Sequence, residues 1–302
     1  MMKPFNKPMF RRLACASLLF GLAISSPASE VSEGVTGSNI STETLVSKSL
    51  DKEVSFNILV PSDYDTSTRR YPTLYLLHGY GDTHTAWSLM TDLSGYASRY
   101  KIIVVMPNGE KSFYVNSVKD SKSRFEDMIM KDLMAHVDSH YRTIPLPRSR
   151  AVAGLSMGGY GAVFLGLKHH GKFAAIGSFS GAVSRVHITP PDPSKQSENE
   201  RKFQQTLEEM FGVAGSKDRD ERDPFKIVEN MPLDQVPYLY IACGGQDFLL
   251  EENRMFVDFL SKKKIPYEYH EISPRVHSWD FWNDQLRQFL DCLRGLKGFS
   301  EI

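Results

Sequence analysis

Short, nearly unbroken apolar runs alternate along the chain with longer stretches in which apolar residues recur every three or four positions. The runs are Thr73–His78 (TLYLLH), Ile102–Met106 (IIVVM), Ala151–Leu155 (AVAGL), Ala174–Phe179 (AAIGSF) and Tyr238–Cys243 (YLYIAC). Runs of this length predict strands buried on both faces, as in a parallel sheet. Tyr267–Ile272 (YEYHEI) alternates more and predicts a further strand. Helical periodicity covers about 123–141, 157–170, 249–264 and 279–296. Segments 43–49 and 53–60, separated by Asp51-Lys52, predict a hairpin. Strand and helix in alternation define an α/β fold with a mostly parallel sheet and helices on both faces.

The stretch 184–235 breaks this rhythm. It holds PPDP at 190–193, a helix-like piece at about 198–211 and the charged run KDRDERD at 217–223. It is expected to be an insertion or cap within one domain, with the charged run as a solvated surface.

Composition adds exclusions. With 36 basic and 36 acidic residues the formal net charge is zero, so nothing points to nucleic acid as a partner. The apolar share of 41% is enough to bury a core, which excludes a disordered chain. Residues 1–28 have the layout of a cleavable signal peptide. Lys3, Lys7, Arg11 and Arg12 precede the apolar run Leu13–Ile24, and small residues lead to a cleavage site after Ala28. The apolar run is too short to span a bilayer comfortably, so no stable membrane insertion is expected after its removal. A secreted or periplasmic location follows as an expectation, with a loose mature N-terminus over 29–41 and a single domain over 42–302. Of the three cysteines, Cys243 and Cys292 remain after cleavage and are expected to be buried free thiols rather than a disulfide.

The most informative stretch is Gly154-Leu155-Ser156-Met157-Gly158-Gly159. It is a G-x-S-x-G placed directly after an apolar strand and before a helix. That turn forces its serine into a strained backbone conformation and needs small neighbours. Ser156 is therefore the candidate nucleophile. Its hydroxyl needs a base, and the base needs an orienting acid, in the chain order serine, acid, histidine. His277 lies in the loop after the last strand and is the candidate base, whereas His270 falls inside that strand. Asp247 follows the strand YLYIAC and the turn Gly244-Gly245-Gln246, where the acid is expected. Asp280 and Asp234 compete, and Asp280 reads better as a charge at a helix N-terminus.

Two backbone N–H groups are expected to form an oxyanion hole, those of Met157 and Tyr80. Tyr80 sits in His78-Gly79-Tyr80-Gly81-Asp82, the loop after the first long parallel strand, with His78 as a structural brace. Aromatics and an amide cluster near the strand ends at Trp87, Phe113-Tyr114-Val115-Asn116, Phe248, Trp279 and Trp282; some are expected in the core, and Tyr114 and Trp279 are the first candidates for lining a substrate pocket. His136 and His140 have a metal-binding spacing, but Val137 replaces the glutamate of H-E-x-x-H and no third ligand is evident. They are expected to face solvent, and no metal or cofactor is implied. His169-His170 read as a helix C-terminus.

These pieces together resemble the esterase D or tributyrin-esterase-like branch of the α/β-hydrolases. That family includes S-formylglutathione hydrolases, feruloyl and acetyl-xylan esterases and mycolyltransferases. The resemblance rests on LYLLHGYGD (74–82), VVMPNG (104–109), SFYVNS (112–117), AGLSMGGYGA (153–162), CGGQDFLL (243–250) and VHSWDFW (276–282). It extends over about residues 43–292 and implies an α/β-hydrolase fold. It also implies Ser156, Asp247 and His277 as catalytic residues and the amides of Tyr80 and Met157 as oxyanion donors. One departure is Arg275-Val276, where many relatives carry glycine; Arg275 is expected to narrow the pocket or attract an acidic substrate. The reading is a serine carboxylic-ester hydrolase acting on short acyl esters. Alternatives are a feruloyl or acetyl esterase on acylated sugars, an acyltransferase, and a non-catalytic surface- or carbohydrate-binding protein. The signal peptide argues against a cytosolic glutathione thioester.

Overall fold

The computed structural model describes residues 39–300 apart from 190, 191, 193 and 195. The signal-peptide reading, most of the loose N-terminus and part of PPDP lie outside the described residues.

Eight strands form one sheet in the order β1-β2-β4-β3-β5-β6-β7-β8. They are β1 (Ile40–Ser47), β2 (Lys52–Leu59), β3 (Thr73–Leu77), β4 (Ile103–Pro107), β5 (Arg150–Leu155), β6 (Ala175–Phe179), β7 (Tyr238–Gly244) and β8 (Glu268–Ile272). All eight fall where the apolar pattern places strands. The hairpin β1–β2 joins β4 antiparallel, and every pairing from β4 through β3 to β8 is parallel. From β3 the chain steps to β4 on one side and then to β5 on the other. That reversal makes the β3/β5 junction a topological switch point, where α/β sheets open a crevice beyond the strands' carboxyl ends.

The five strands β3 to β7 are buried on both faces, apart from the half-buried Tyr238. Successive side chains of β5 go to opposite cores. Val152 joins one, while Ala151, Ala153 and Leu155 join the other. The first core packs under α5 (Met157–Lys168) and α9 (Leu250–Lys262). The second packs under α10 (Trp279–Leu293) and a pair of short helices, α1 (Ala86–Met90) and α2 (Leu93–Tyr100). That pair is absent from the apolar-pattern reading. Its signal was present in α2, where Leu93, Tyr96, Ala97 and Tyr100 are all buried at helical spacing. The helical run predicted at 123–141 comprises α3 (Phe125–Asp127), a π-helical stretch Met128–Leu133 and α4 (Met134–His140).

The 184–235 region carries α6 (Glu198–Phe211), α7 (Lys217–Asp220) and α8 (Pro224–Glu229). Ser197 starts α6 with a capping box to Glu200. Phe211 at its end is fully buried against Phe113 and Tyr160, with ring centroids 5.4 and 5.5 Å away. Full burial of such a ring stabilises by roughly 1.5–3 kcal/mol, so the cap is seated on the body of the domain.

The charged run at 217–223 is the expected solvated surface only in part: Lys217, Asp218, Asp220 and Glu221 are exposed. Arg219, Arg222 and Asp223 are buried. Arg222 donates to the Asn116 carbonyl at 2.9 and 3.2 Å and to the Asp218 carbonyl at 2.7 Å. Arg219 donates to the Val186 carbonyl at 2.8 Å, and Asp223 accepts from His187 and from the Phe225 amide. Buried charges persist when hydrogen bonds replace their water; here backbone carbonyls serve the two arginines, and the His187 ring and the Phe225 amide serve Asp223. A run of alternating charges does not reveal which members fold inward.

Cys243 and Cys292 are free, as expected, but only Cys243 is buried; Cys292 is half-buried beside Glu268.

Candidate active site

Three segments at the carboxyl ends of parallel strands converge on one cavity of about 300 Å³. Its lining includes Gly79, Tyr80 and Asp82 after β3, Leu155 and Ser156 after β5, and His277, Ser278, Trp279 and Trp282 at the start of α10. Residues more than 190 positions apart meet because parallel strands all end at the same edge.

Ser156 bridges β5 and α5 with φ +52° and ψ −114°. This is a conformation L-residues avoid, and it is held by three backbone hydrogen bonds. The Ser156 amide donates to the Phe179 carbonyl at 3.0 Å. The Ser156 carbonyl accepts from the amides of Tyr160 and Ala182, each at 3.1 Å. A Cβ on Gly158 would lie 2.4 Å from the Leu77 carbonyl oxygen and 2.6 Å from that of His78. Gly158→Ala is therefore expected to cost about 1–3 kcal/mol and to push the turn from the β3 loop. Urea unfolding and ester turnover should both fall; an unchanged urea midpoint would show that the contact is not tight.

Asp247 and His277 come together as the sequence spacing suggests. The Asp247 side chain is fully buried, and its two carboxylate oxygens lie 2.9 and 3.1 Å from His277 Nδ1. Burial by itself would raise the Asp247 carboxyl. Hydrogen bonds from His277, the Ser180 side chain and the Leu249 amide outweigh it and hold the carboxyl below the usual aspartate range. Nδ1–H donates to Asp247, which leaves Nε2 as the lone-pair nitrogen of neutral His277.

Gly79 sits against the serine: a Cβ there would lie 2.6 Å from Leu155 Cδ1 and 3.7 Å from Ser156 Cβ. The loop after β3 thus comes close only because it carries no side chain at that point. Tyr80 borders the cavity. Met157 opens α5, so its N–H belongs to the first turn, which has no intrahelical acceptor, while its side chain is buried in the core.

His78 is buried and braces the loop. Its Nε2 accepts from the Gly109 amide at 2.9 Å, so its Nδ1–H donates to the Gly79 carbonyl at 2.8 Å. Burial lowers its pKa and keeps the ring neutral. Tyr114 is not in the pocket. It is fully buried and donates from its hydroxyl to the His78 carbonyl at 3.0 Å. Its left-handed backbone, φ +61°, turns the ring inward, towards space left open by Gly109 and Gly161. Arg275 also lies away from the cavity lining. Its guanidinium is drawn to Asp280 and Asp284 on α10. Only its carbonyl serves the site, accepting from the Gln246 amide at 2.9 Å beside the Asp247 turn. Trp279 lines the cavity as expected.

The competitors are placed elsewhere. Asp234 lies in a short 3₁₀ turn before β7, at the opposite end of that strand from Asp247. Asp280 pairs with Arg275 in the first turn of α10, and His270 bonds to Glu268 on β8. His136 is half-buried rather than solvent-facing, stacked on His140 at 4.1 Å with its edge relation to Phe56 at 5.7 Å. Among the described residues no group of three His, Cys, Asp or Glu is arranged to hold a metal. His169 pairs with Glu126.

Sequence reasoning missed Ser180. Ser180 is buried, adopts φ +47° and accepts from Trp282 Nε1 at 3.2 Å. No motif marks it, since it is one more small residue after a strand. Phe248 and Trp282 flank the His277 ring at 4.5 and 4.8 Å.

The fold is that of the α/β-hydrolases, and the protein is a serine-type carboxylic ester hydrolase. The chain belongs to the family described as "Putative esterase", which matches residues 47–291. It is similar to an acetyl esterase from Caldicellulosiruptor saccharolyticus, with 31% identity over 251 residues, 78% of this chain and 91% of the relative. Among solved structures it is similar to the fluorophosphonate-binding serine hydrolase F of Staphylococcus aureus. The two share 26% identity and a TM-score of 0.71, covering 84% and 97% of the chains. An S-formylglutathione hydrolase from Staphylococcus aureus is 25% identical, with a TM-score of 0.67, covering 84% and 98%.

Proposed function

We propose that Ser156, His277 and Asp247 act as the catalytic triad of an esterase for short acyl esters. The observation that carries the reading is the strained Ser156 facing the same cavity as a His277 whose Nδ1 is tied to a buried carboxylate. His277 Nε2 takes the hydroxyl proton as Ser156 Oγ attacks the ester carbonyl. The amides of Tyr80 and Met157 hold the oxyanion. His277 then gives the proton to the departing alcohol, leaving an acyl-enzyme that water hydrolyses by the reverse sequence. Exposure of about a fifth of the His277 side chain, 19%, leaves water a path to the acyl-enzyme. The likeness to an acetyl esterase supports small acyl groups, and acetyl or feruloyl esters of sugars form the second substrate class. Turnover of p-nitrophenyl acetate, butyrate and octanoate beside methyl ferulate tests this. Acetate or butyrate is expected to lead; a preference for methyl ferulate would replace the short-acyl reading, and no turnover by folded protein would end both.

The reading extends to location. The basic start, apolar run and small residues of 1–28 support export and cleavage after Ala28. Mass spectrometry of protein from the periplasmic and secreted fractions should find Ser29 as the first residue. An intact N-terminus on cytosolic protein would reject this. Among the described residues, no helix is long and apolar enough to cross a membrane.

A further inference from the structure

All three tryptophans of the chain gather behind one wall of the catalytic cavity. Trp87 is buried and donates from Nε1 to the Leu77 carbonyl at 2.9 Å. Trp279 meets Trp87 edge to face at 5.3 Å and Trp282 at 5.2 Å, with interplanar angles of 88° and 84°. Trp282 is fixed in turn by its bond to Ser180 Oγ and by its edge contact with His277. Each ring is thus held by a neighbour at nearly a right angle. A close-packed wall of this kind does not retreat by a single rotamer change. Trp279 and Trp282 present it to the cavity beside Leu155. None of the three rings is needed to move a proton or to hold charge in the reaction.

The two halves of an ester make different demands on this cavity. The alcohol must leave past His277, which protonates it. The outer flank of that histidine is open, with Phe248 73% and Val276 45% exposed. The acyl group stays on Ser156 and has no need of an exit. Leu155, Trp279 and Trp282 line the cavity that Ser156 faces and offer an acyl group an apolar surface.

We infer that the tryptophan wall closes the acyl site and that Trp279, the only partly exposed member, sets the longest acyl chain the enzyme accepts. The inference rests on Ser156 being the acylated residue. It makes the enzyme selective for the acid and permissive for the alcohol.

Two ester series test it on the whole protein. One varies the acyl group (p-nitrophenyl acetate, butyrate, octanoate); the other varies the alcohol at constant acetyl (phenyl and naphthyl acetate). Wild type should favour acetate or butyrate strongly over octanoate in kcat/KM. A misfit of one methylene in an apolar pocket is worth about tenfold or more, so Trp279→Ala should raise the octanoate-to-acetate ratio by at least about tenfold. Trp279→Phe, which keeps an aromatic edge against Trp87, should move it less in the same direction and decides the matter if the alanine variant does not fold. The naphthyl-to-phenyl ratio should stay put in both. A wild type indifferent to chain length, an unmoved acyl ratio in the folded variants, or a shift in the alcohol ratio instead would overturn the inference while leaving the esterase reading intact. Wild-type protein inert to every ester would remove the esterase reading, and this inference with it.

Discussion

Ser156→Ala should leave a folded protein with almost no ester hydrolysis. The oxygen that forms the acyl-enzyme is gone, so no rearrangement of the remaining groups restores the same path. In serine hydrolases the loss of the nucleophile lowers kcat by about six orders of magnitude, and what survives comes from the oxyanion hole and binding. The folded structure should tolerate the change. The turn at Ser156 is fixed by backbone hydrogen bonds to Phe179, Tyr160 and Ala182, none of which uses the hydroxyl. The backbone strain at φ +52° persists with alanine, so stability should shift little. Hydrolysis of p-nitrophenyl acetate by wild type and variant, with circular dichroism of both, decides it. Activity within tenfold of wild type would mean that another group is the nucleophile.

Asp247→Asn should lower kcat by about four orders of magnitude, with a smaller effect on KM, as neutralising the acid does in other triads. Asparagine presents an N–H or a carbonyl to His277 Nδ1. The N–H face forces the opposite tautomer, with the proton on Nε2, where the ring cannot accept from Ser156. The carbonyl face keeps the tautomer but lacks the charge that stabilises the imidazolium. A variant with normal kcat would transfer the acid role elsewhere, with Asp280 the first to examine. The same substitution should change the acid limb of stability. The Asp247 carboxyl titrates below its unfolded value in the folded protein. Its contribution is therefore present above the unfolded pKa of about 4 and is lost as pH falls below that through the folded value. Urea midpoints measured from pH 6 down to pH 3 should fall less steeply for the asparagine variant than for wild type. Parallel curves would show that the carboxylate carries no such linkage.

The strands and the triad candidates were legible because their constraints are local. A strand buried on both faces must be apolar throughout, and β3 to β7 are. A nucleophile turn needs glycine where a Cβ would strike the neighbouring strand, as at Gly154 and Gly158. The order of strand, turn and residue also separated Asp247 from Asp234, since only one of them follows the strand. Other expectations failed because side-chain direction and burial depend on partners far away in sequence. Tyr114 and Arg275 were placed near the site correctly but pointed wrongly. Tyr114 fills the space beside Gly109 and Gly161, and Arg275 answers two carboxylates on α10. Arg219, Arg222 and Asp223 were read as surface because a charged run has no local mark of which members find buried carbonyl or histidine partners.

The sequence by itself determined the α/β class, the strand positions, the family and the place of the candidate nucleophile turn, since each rests on residue types a few positions apart. Only the tertiary structure decided which groups meet. It alone brought Ser180 to Asp247, seated the cap through Phe211, and assembled Trp87, Trp279 and Trp282 into one wall. The reason is geometric: parallel strands deliver distant segments to the same sheet edge, and their packing there depends on shapes and partners that no short window of sequence contains.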